Sequence, residues 1–275
     1  MTPIEHARSW LFVPGSRPDR FDKAVAAGPD VVILDLEDAV AAEGKAEARR
    51  DVASWLAGGH RAAVRVNAVG GAHHDADLEA VAGLPGVVAV VVPMAESPRA
   101  LASVHARVGS GVALVPQIET AVGLTRAAEL AAAPGVVRLA LGHLDLALDL
   151  DASPNGGILT HARFAVVVAS RAAGRAGPVD SVTPTLEDPS AVHRDARTAR
   201  ALGLTGKLCI HPSQVAAVHE AMSPSAADIV WARRVLDAAD TGVARVDGQM
   251  VDAPVVARAR RLIATGAASA GRADA

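Results

Sequence analysis

With 275 residues the chain is long enough for one large domain or two small ones. Its 27 basic and 30 acidic residues leave a net charge of −3, which argues against a broad nucleic-acid-binding face, and three Trp, three Phe and no Tyr argue against a base-stacking or carbohydrate platform. The single Cys209 excludes a disulfide framework and a Cys-rich metal site, while the absence of an apolar leader and of any apolar run of ~18 residues leads to the expectation of a soluble, cytoplasmic protein that does not enter a membrane.

Short Val/Ile/Leu runs alternate with Ala/Arg/Glu-rich segments along most of the chain. Strands are expected at Trp10–Val13, Val31–Leu36, Ala63–Asn67, Val87–Val92, Ala113–Ile118, Val137–Leu141, Val179–Val182 and Lys207–Ile210. Each is short and apolar on both faces, as buried parallel strands are. Helical patterns follow them at Pro18–Ala27, Lys45–Leu56, Asp75–Val81, Pro98–Val108, Ala121–Ala132, Leu159–Ala173, Ser190–Leu202 and Gln214–Met222, with Gly, Pro and Asn at the joins. Eight such pairs predict an α/β (β/α)8 barrel over residues 1–222, a doubly wound open sheet being the alternative. Residues 223–275 read as an appendage: a helix Ser225–Asp240, a turn-rich extended piece Gly242–Pro254, a basic helix Val255–Ala264, and a frayed small-residue end from Gly266.

In such a barrel the chemistry sits at the C-terminal ends of the strands. The residues there are polar: Asp35, Glu37 and Asp38 after the second strand, Arg65 and Asn67 after the third, Glu119 after the fifth, Asp145 after the sixth and His211 after the eighth. Glu119 and Asp145 are the best metal candidates, because Mg²⁺ takes one or two carboxylates and leaves positions for water and substrate oxygens, such as those of an α-oxo acid. The His residues show no ligand-type spacing at these ends, and His73-His74 reads as a solvated loop doublet. Arg65, on a strand with an Ala-Ala-Val approach, needs an anion. That anion is a substrate carboxylate or enolate oxygen, a salt-bridge partner at Glu37 or Asp38, or both. Strand alternation would point Asp35 and Glu37 together and leave Asp38 in the following loop. The turn Pro14-Gly15-Ser16-Arg17-Pro18-Asp19-Arg20 reads either as an anion site or as an ordinary βα loop.

Several ordered motifs carry a resemblance. They are Leu11-Phe12-Val13-Pro14-Gly15-Ser16-Arg17-Pro18-Asp19-Arg20-Phe21, Ile33-Leu34-Asp35-Leu36-Glu37-Asp38-Ala39-Val40, Val64-Arg65-Val66-Asn67, Pro116-Gln117-Ile118-Glu119-Thr120, Cys209-Ile210-His211-Pro212-Ser213-Gln214 and Gly248-Gln249-Met250-Val251-Asp252-Ala253-Pro254. Together they resemble the HpcH/HpaI aldolase and citrate lyase β-subunit family, in particular its stand-alone members acting on CoA thioesters, over essentially the whole chain.

The resemblance implies a Mg²⁺-dependent carbon–carbon lyase on a TIM barrel. It implies Glu119 and Asp145 as metal ligands, Glu119 also lying at the substrate, and Arg65 as the substrate arginine. Arg17 and Arg20 would contact CoA, with Lys23 a weaker candidate. Asp252 would serve as an acid/base reaching a neighbouring subunit's site, which implies a homo-oligomer, a trimer or a multiple of it. Asp38 joins Arg65 and Asp252 as a catalytic candidate. The substrate would be a 3-hydroxyacyl-CoA acid of the citramalyl-CoA, malyl-CoA or citryl type, giving acetyl-CoA and an oxo acid. Alternatives are a metal aldolase on free hydroxy-oxo acids, a citrate lyase β subunit working within a complex, and, more remotely, phosphoenolpyruvate-type chemistry. One departure stands out: the lyases' Gly-x-Glu-Asp-Leu appears here as Gly142-His143-Leu144-Asp145-Leu146, with Leu144 in place of the acid.

Overall fold

The computed structural model describes residues 3–154, 157–240 and 245–270. The chain divides into two compact units, residues 1–219 and 220–275. Among the described residues no helix is long and apolar enough to cross a membrane.

In the first unit eight parallel strands close into a barrel in chain order, β1 with β2 and so on round to β8 against β1. They are β1 Ser9–Pro14, β2 Val31–Asp35, β3 Ala62–Arg65, β4 Val87–Val92, β5 Ala113–Ile118, β6 Ala140–Leu141, β7 Val179–Asp180 and β8 Gly206–Cys209. Closure excludes the open doubly wound sheet. Around the barrel run α1 Phe21–Ala26, α2 Lys45–Ala57, α3 His74–Val81, α4 Pro98–Val108, α5 Ala121–Thr125, α6 Ala127–Ala132, α7 His143–Asp149, α8 Gly157–Ala172, α9 Pro189–Leu202 and α10 Gln214–Met222.

Local chemistry sets these boundaries. α4 starts where Ser97 Oγ accepts the Ala100 N–H at 3.3 Å with Pro98 behind it, and stops at Gly109, whose φ of 91° suits glycine alone. The expected single helix over Ala121–Ala132 is two. Arg126 leaves helical geometry (φ −102°, ψ 9°), and its guanidinium donates to the Glu96 carbonyl at 2.9 Å. The expected strand over Val137–Leu141 pairs regularly only at Ala140–Leu141. Within it the Arg138 side chain, fully buried, turns aside to donate to the carbonyls of Gly177, Ile4 and Ala7 and to Thr205 Oγ1. α7 was not expected: a seven-residue helix directly after a glycine carries too short a period to register in the sequence.

The barrel interior holds Trp10, Val31, Ile33, Ala63, Ala89, Val91, Val115, Ala140, Val179 and Leu208. Strand alternation carries that inward stripe two residues further to Asp35, Arg65 and Gln117, so the apolar core ends in a polar layer at the C-terminal rim.

In the second unit, α11 Ala226–Asp240 packs on α12 Ala253–Ala270 through Ala232, Val235, Ala238 and Ala259. Between them in sequence β9 Arg245–Val246 and β10 Gln249–Met250 form an antiparallel hairpin. Its turn, Asp247-Gly248, has φ of 52° and 79°, the geometry that favours Asp-Gly. α12 is longer than Val255–Ala264 and runs past Gly266 to Ala270, where Ala and Ser continue the helix; the end is therefore not frayed at Gly266. Residues 242–244, the start of the expected extended piece, lie outside the described residues.

Candidate active site

Arg65 and Asp35 are register partners at the ends of β3 and β2. The guanidinium grips the carboxylate with two bonds, Nε to Oδ1 at 2.8 Å and Nη2 to Oδ2 at 2.6 Å, and both groups are buried. Asp35 also accepts the N–H groups of Glu37 and Ala39, which folds the chain back at the end of β2. Because the strand stops at Asp35, Glu37 and Asp38 are placed by this turn and not by strand alternation, and both approach the same arginine. Nη1 of Arg65 lies 3.0 Å from Glu37 Oε2 and 3.4 Å from Asp38 Oδ2. Arg65 also stacks on Phe12, its guanidinium carbon 4.7 Å from the ring centre. The salt-bridge reading of Arg65 holds: its fork is held by Asp35, and Nη1 faces the Glu37 and Asp38 carboxylates.

Three carboxylates around one arginine leave excess negative charge. Burial, opposed by the Arg65 charge and reinforced by Asp38, Glu119 and Asp35, pushes the Glu37 carboxyl up from 4.5 to about 8. Its Oε2 is buried and accepts no hydrogen bond from the described residues.

Glu119 follows β5 and is 2% exposed. Its Oε1 accepts the Met94 N–H at 2.7 Å, and its Oε2 meets Gln117 Nε2. Met94 supplies that N–H from a left-handed backbone, φ 48°, a local cost of about 1–3 kcal/mol tolerated at functional sites. Burial first, and then the Asp145 charge, push Glu119 up to about 7 against the Met94 hydrogen bond. Asp145, half-buried in the first turn of α7, is raised by burial and by Asp38. Two neighbouring carboxylates that both resist ionisation, neither paired with a Lys or Arg among the described residues, form a donor set that suits a hard divalent cation. Gly142 leaves the space: a Cβ there would stand 2.1 Å from Glu119 Oε2. The buried Gln117 Oε1 also accepts no hydrogen bond from the described residues. The residues present thus fit Mg²⁺.

A pocket of about 360 Å³ has Asp35, Asp38, Arg65, Gln117 and Asp145 in its lining. Ser181, also at its wall, bonds His143 through Nδ1 at 2.5 Å and accepts the His143 N–H. Burial lowers the His143 pKa. Behind the wall Lys207, fully buried, joins Asp180, Asp195 and the Ser181 carbonyl, while Arg163 forks onto Asp180. This network fixes the ends of β7 and β8.

Of the other expected residues, Arg17 is exposed and already forked onto Asp19, with both bonds at 2.9 Å, and Arg20 is exposed beside it. Asn67 donates to the Leu36 carbonyl and Asp77, a structural role. His211 is exposed and paired with Ser213 Oγ. His74 is not solvated: it is buried and bonded to the Asn67 carbonyl. Asp252 belongs to the second unit, where its Oδ1 accepts the Val255 N–H at the start of α12. Gln117, Met94 and Ser181 were missed; Gln117 alone carried a signal, lying two residues before Glu119 on a strand.

A family model described as HpcH/HpaI aldolase/citrate lyase matches residues 8–212, three quarters of the chain. The chain belongs to the HpcH/HpaI aldolase/citrate lyase family. It is thereby an enzyme of a carbon–carbon lyase family, and a second model, a carbon–carbon bond lyase of the TIM-barrel fold, matches residues 167–268. A citrate lyase subunit beta-like protein of Mycobacterium tuberculosis is 38% identical over 92% of this chain and 93% of its own. A (3S)-malyl-CoA thioesterase of Cereibacter sphaeroides is 34% identical over 94% and 93%. The crystal structure of CitE from Mycobacterium tuberculosis with magnesium, acetoacetate and coenzyme A superposes with a TM-score of 0.86 at 36% identity, covering 96% of this chain and all of that one.

Proposed function

We propose that this family member is a Mg²⁺-dependent lyase that cleaves a 3-carboxy-3-hydroxyacyl-CoA thioester, of the citramalyl, malyl or citryl type, to acetyl-CoA and a 2-oxo acid. The observation that carries the reading is the Glu119–Asp145 pair, one buried and one half-buried and both raised in pKa, with Asp145 and Arg65 lining one pocket. The magnesium, acetoacetate and coenzyme A held by the CitE relative supply the matching ligand classes.

Glu119 and Asp145 would hold the ion, whose chemistry when bound is Lewis-acid polarisation and orientation of substrate oxygens. The residues divide the rest. Asp35 holds the Arg65 fork rigid, so the remaining nitrogen meets developing oxyanion charge without reorganising. Asp38, at the pocket and within 3.4 Å of that nitrogen, provides the carboxylate that takes the substrate hydroxyl proton as the C2–C3 bond breaks. The electron pair of that bond remains on C2 as the acetyl-CoA enolate. Asp252, contributed by a neighbouring copy in a homo-oligomer, a trimer or a multiple of it, returns a proton to C2. Arg17 and Arg20, exposed on the loop after β1, suit the phosphates of CoA.

The test is cleavage of malyl- and citramalyl-CoA with Mg²⁺, in EDTA, and by Glu119→Ala and Asp145→Ala. Acetyl-CoA release with Mg²⁺, lost in EDTA and in both variants while their unfolding in EDTA stays cooperative, is the expected result. Undiminished activity in EDTA or in either variant overturns it.

A further inference from the structure

The pocket lining is chemically mixed. Beside the charged groups it includes Leu144, Val182, Leu208 and Ile210. Leu208 is buried in the barrel, but Leu144 and Ile210 keep 42% and 41% of their surface exposed at the mouth. Large aliphatic side chains left open to solvent in a pocket that also holds charged groups mark where an apolar part of a ligand is covered. Leu144 is one residue from Asp145, so this wall adjoins the carboxylates that would hold the cation.

Charge points the same way. Of the described lining residues Arg65 is the one cation, and Asp35 already occupies two of its nitrogens. Asp35, Asp38 and Asp145 also line the pocket. Glu119 and Asp145 would hold the cation that meets a single ligand carboxylate. A second carboxylate on the same ligand would be desolvated against Leu144 and Ile210 in the field of three acids, with Arg65, gripped by Asp35 and facing Glu37 and Asp38, as the one cation among the described lining residues.

We propose that Leu144 and Ile210 make the site selective for a 2-oxo acid carrying an alkyl group on its carbonyl carbon. Oxo acids carrying hydrogen or a carboxymethyl group at that position are disfavoured. The inference rests on the lyase reading and narrows it: the substrate is a 3-carboxy-3-hydroxyacyl thioester with an alkyl substituent on C3. Breaking C2–C3 moves the hydroxyl proton to C2, and the alkyl group leaves on the oxo acid, so atoms and electrons balance with no co-reactant.

The experiment is calorimetric titration of the Mg²⁺-loaded protein with glyoxylate, pyruvate, 2-oxobutyrate and oxaloacetate, and separately with coenzyme A, for wild type, Leu144→Ala and Leu144→Lys. Thermal unfolding confirms that each variant is folded. In wild type each added methyl or methylene should tighten binding by roughly fourfold from glyoxylate to 2-oxobutyrate, and oxaloacetate should bind at least about tenfold more weakly than 2-oxobutyrate. Leu144→Ala should flatten the alkyl series, and Leu144→Lys should reverse the order in favour of oxaloacetate. Oxaloacetate or glyoxylate binding wild type as tightly as 2-oxobutyrate overturns the inference. So does an unchanged order in Leu144→Lys accompanied by weaker coenzyme A binding, which would assign the apolar wall to the thioester arm. Failure of every oxo acid to bind in Mg²⁺ while all variants stay folded overturns the lyase reading itself, a different outcome from a wrong order among acids that do bind.

Discussion

Replacing Gly142 by alanine tests the geometry of the carboxylate pair without removing either carboxylate. The backbone at Gly142 (φ −112°, ψ 85°) is open to any residue, so the substitution acts through space alone. An added Cβ would lie 2.1 Å from Glu119 Oε2, 2.8 Å from Glu119 Cβ and 2.8 Å from Gln117 Nε2. Ordinary non-bonded separations are about 3.5 Å, so Oε2 must retreat by more than about 1 Å. It cannot do so freely, because Met94 holds the other oxygen at 2.7 Å. Overpacking of this kind costs about 1–3 kcal/mol, or roughly 2–12 °C in Tm for a unit of this size. A displacement of ~1 Å in a catalytic group costs on the order of 100-fold in rate. Steady-state kinetics against Mg²⁺ concentration, with Tm measured in EDTA, read both effects. Gly111→Ala is the control, since no atom lies within 4 Å of a Cβ there. Gly142→Ala with wild-type kcat/KM, Mg²⁺ requirement and Tm would refute the packing of Glu119 described here.

Arg65→Lys should lower kcat/KM by roughly 100-fold or more, because lysine cannot reproduce the two-bond grip on Asp35. A lysine variant with near-normal kinetics would show that charge alone suffices. The Glu37 carboxyl, raised to about 8 by burial, keeps its proton in the folded protein where the unfolded chain has lost it, so its contribution is full below the ordinary value of 4.5 and is lost as pH rises toward 8. In EDTA, Glu37→Gln should therefore lose less Tm than wild type between about pH 5.5 and about pH 8, and equal losses would contradict the assignment. Mixing Glu119→Ala with Asp252→Ala should restore partial activity after subunit exchange, because some sites then combine an intact metal ligand with an intact donated acid. No recovery after verified exchange would place Asp252 outside a neighbour's site.

The barrel was legible because its strands are short apolar runs, and β4 and β5 match their expected bounds residue for residue. Boundaries slipped where a side chain overrides the local pattern, as Arg138 does before β6 and Arg126 does between α5 and α6. The rim acids and Arg65 were legible by position, since strand ends define the rim. What each acid does was not. Asp35 folds the chain and holds Arg65, Glu37 carries the raised pKa, and Asp38 lies open at the pocket. That division depends on where β2 stops and on burial, which no spacing in Asp35-Leu36-Glu37-Asp38 encodes. The Met94 N–H was invisible for the same reason, being a backbone group aimed by a left-handed residue.

Product identity is the most direct test of the central claim. Malyl- and citramalyl-CoA incubated with the Mg²⁺-loaded protein should yield acetyl-CoA and the corresponding 2-oxo acid in equal amounts, at rates that vanish in Glu119→Ala. Release of free coenzyme A with the intact hydroxy diacid, and no acetyl-CoA, would mean that the thioester and not the carbon–carbon bond is cut, and would contradict the account.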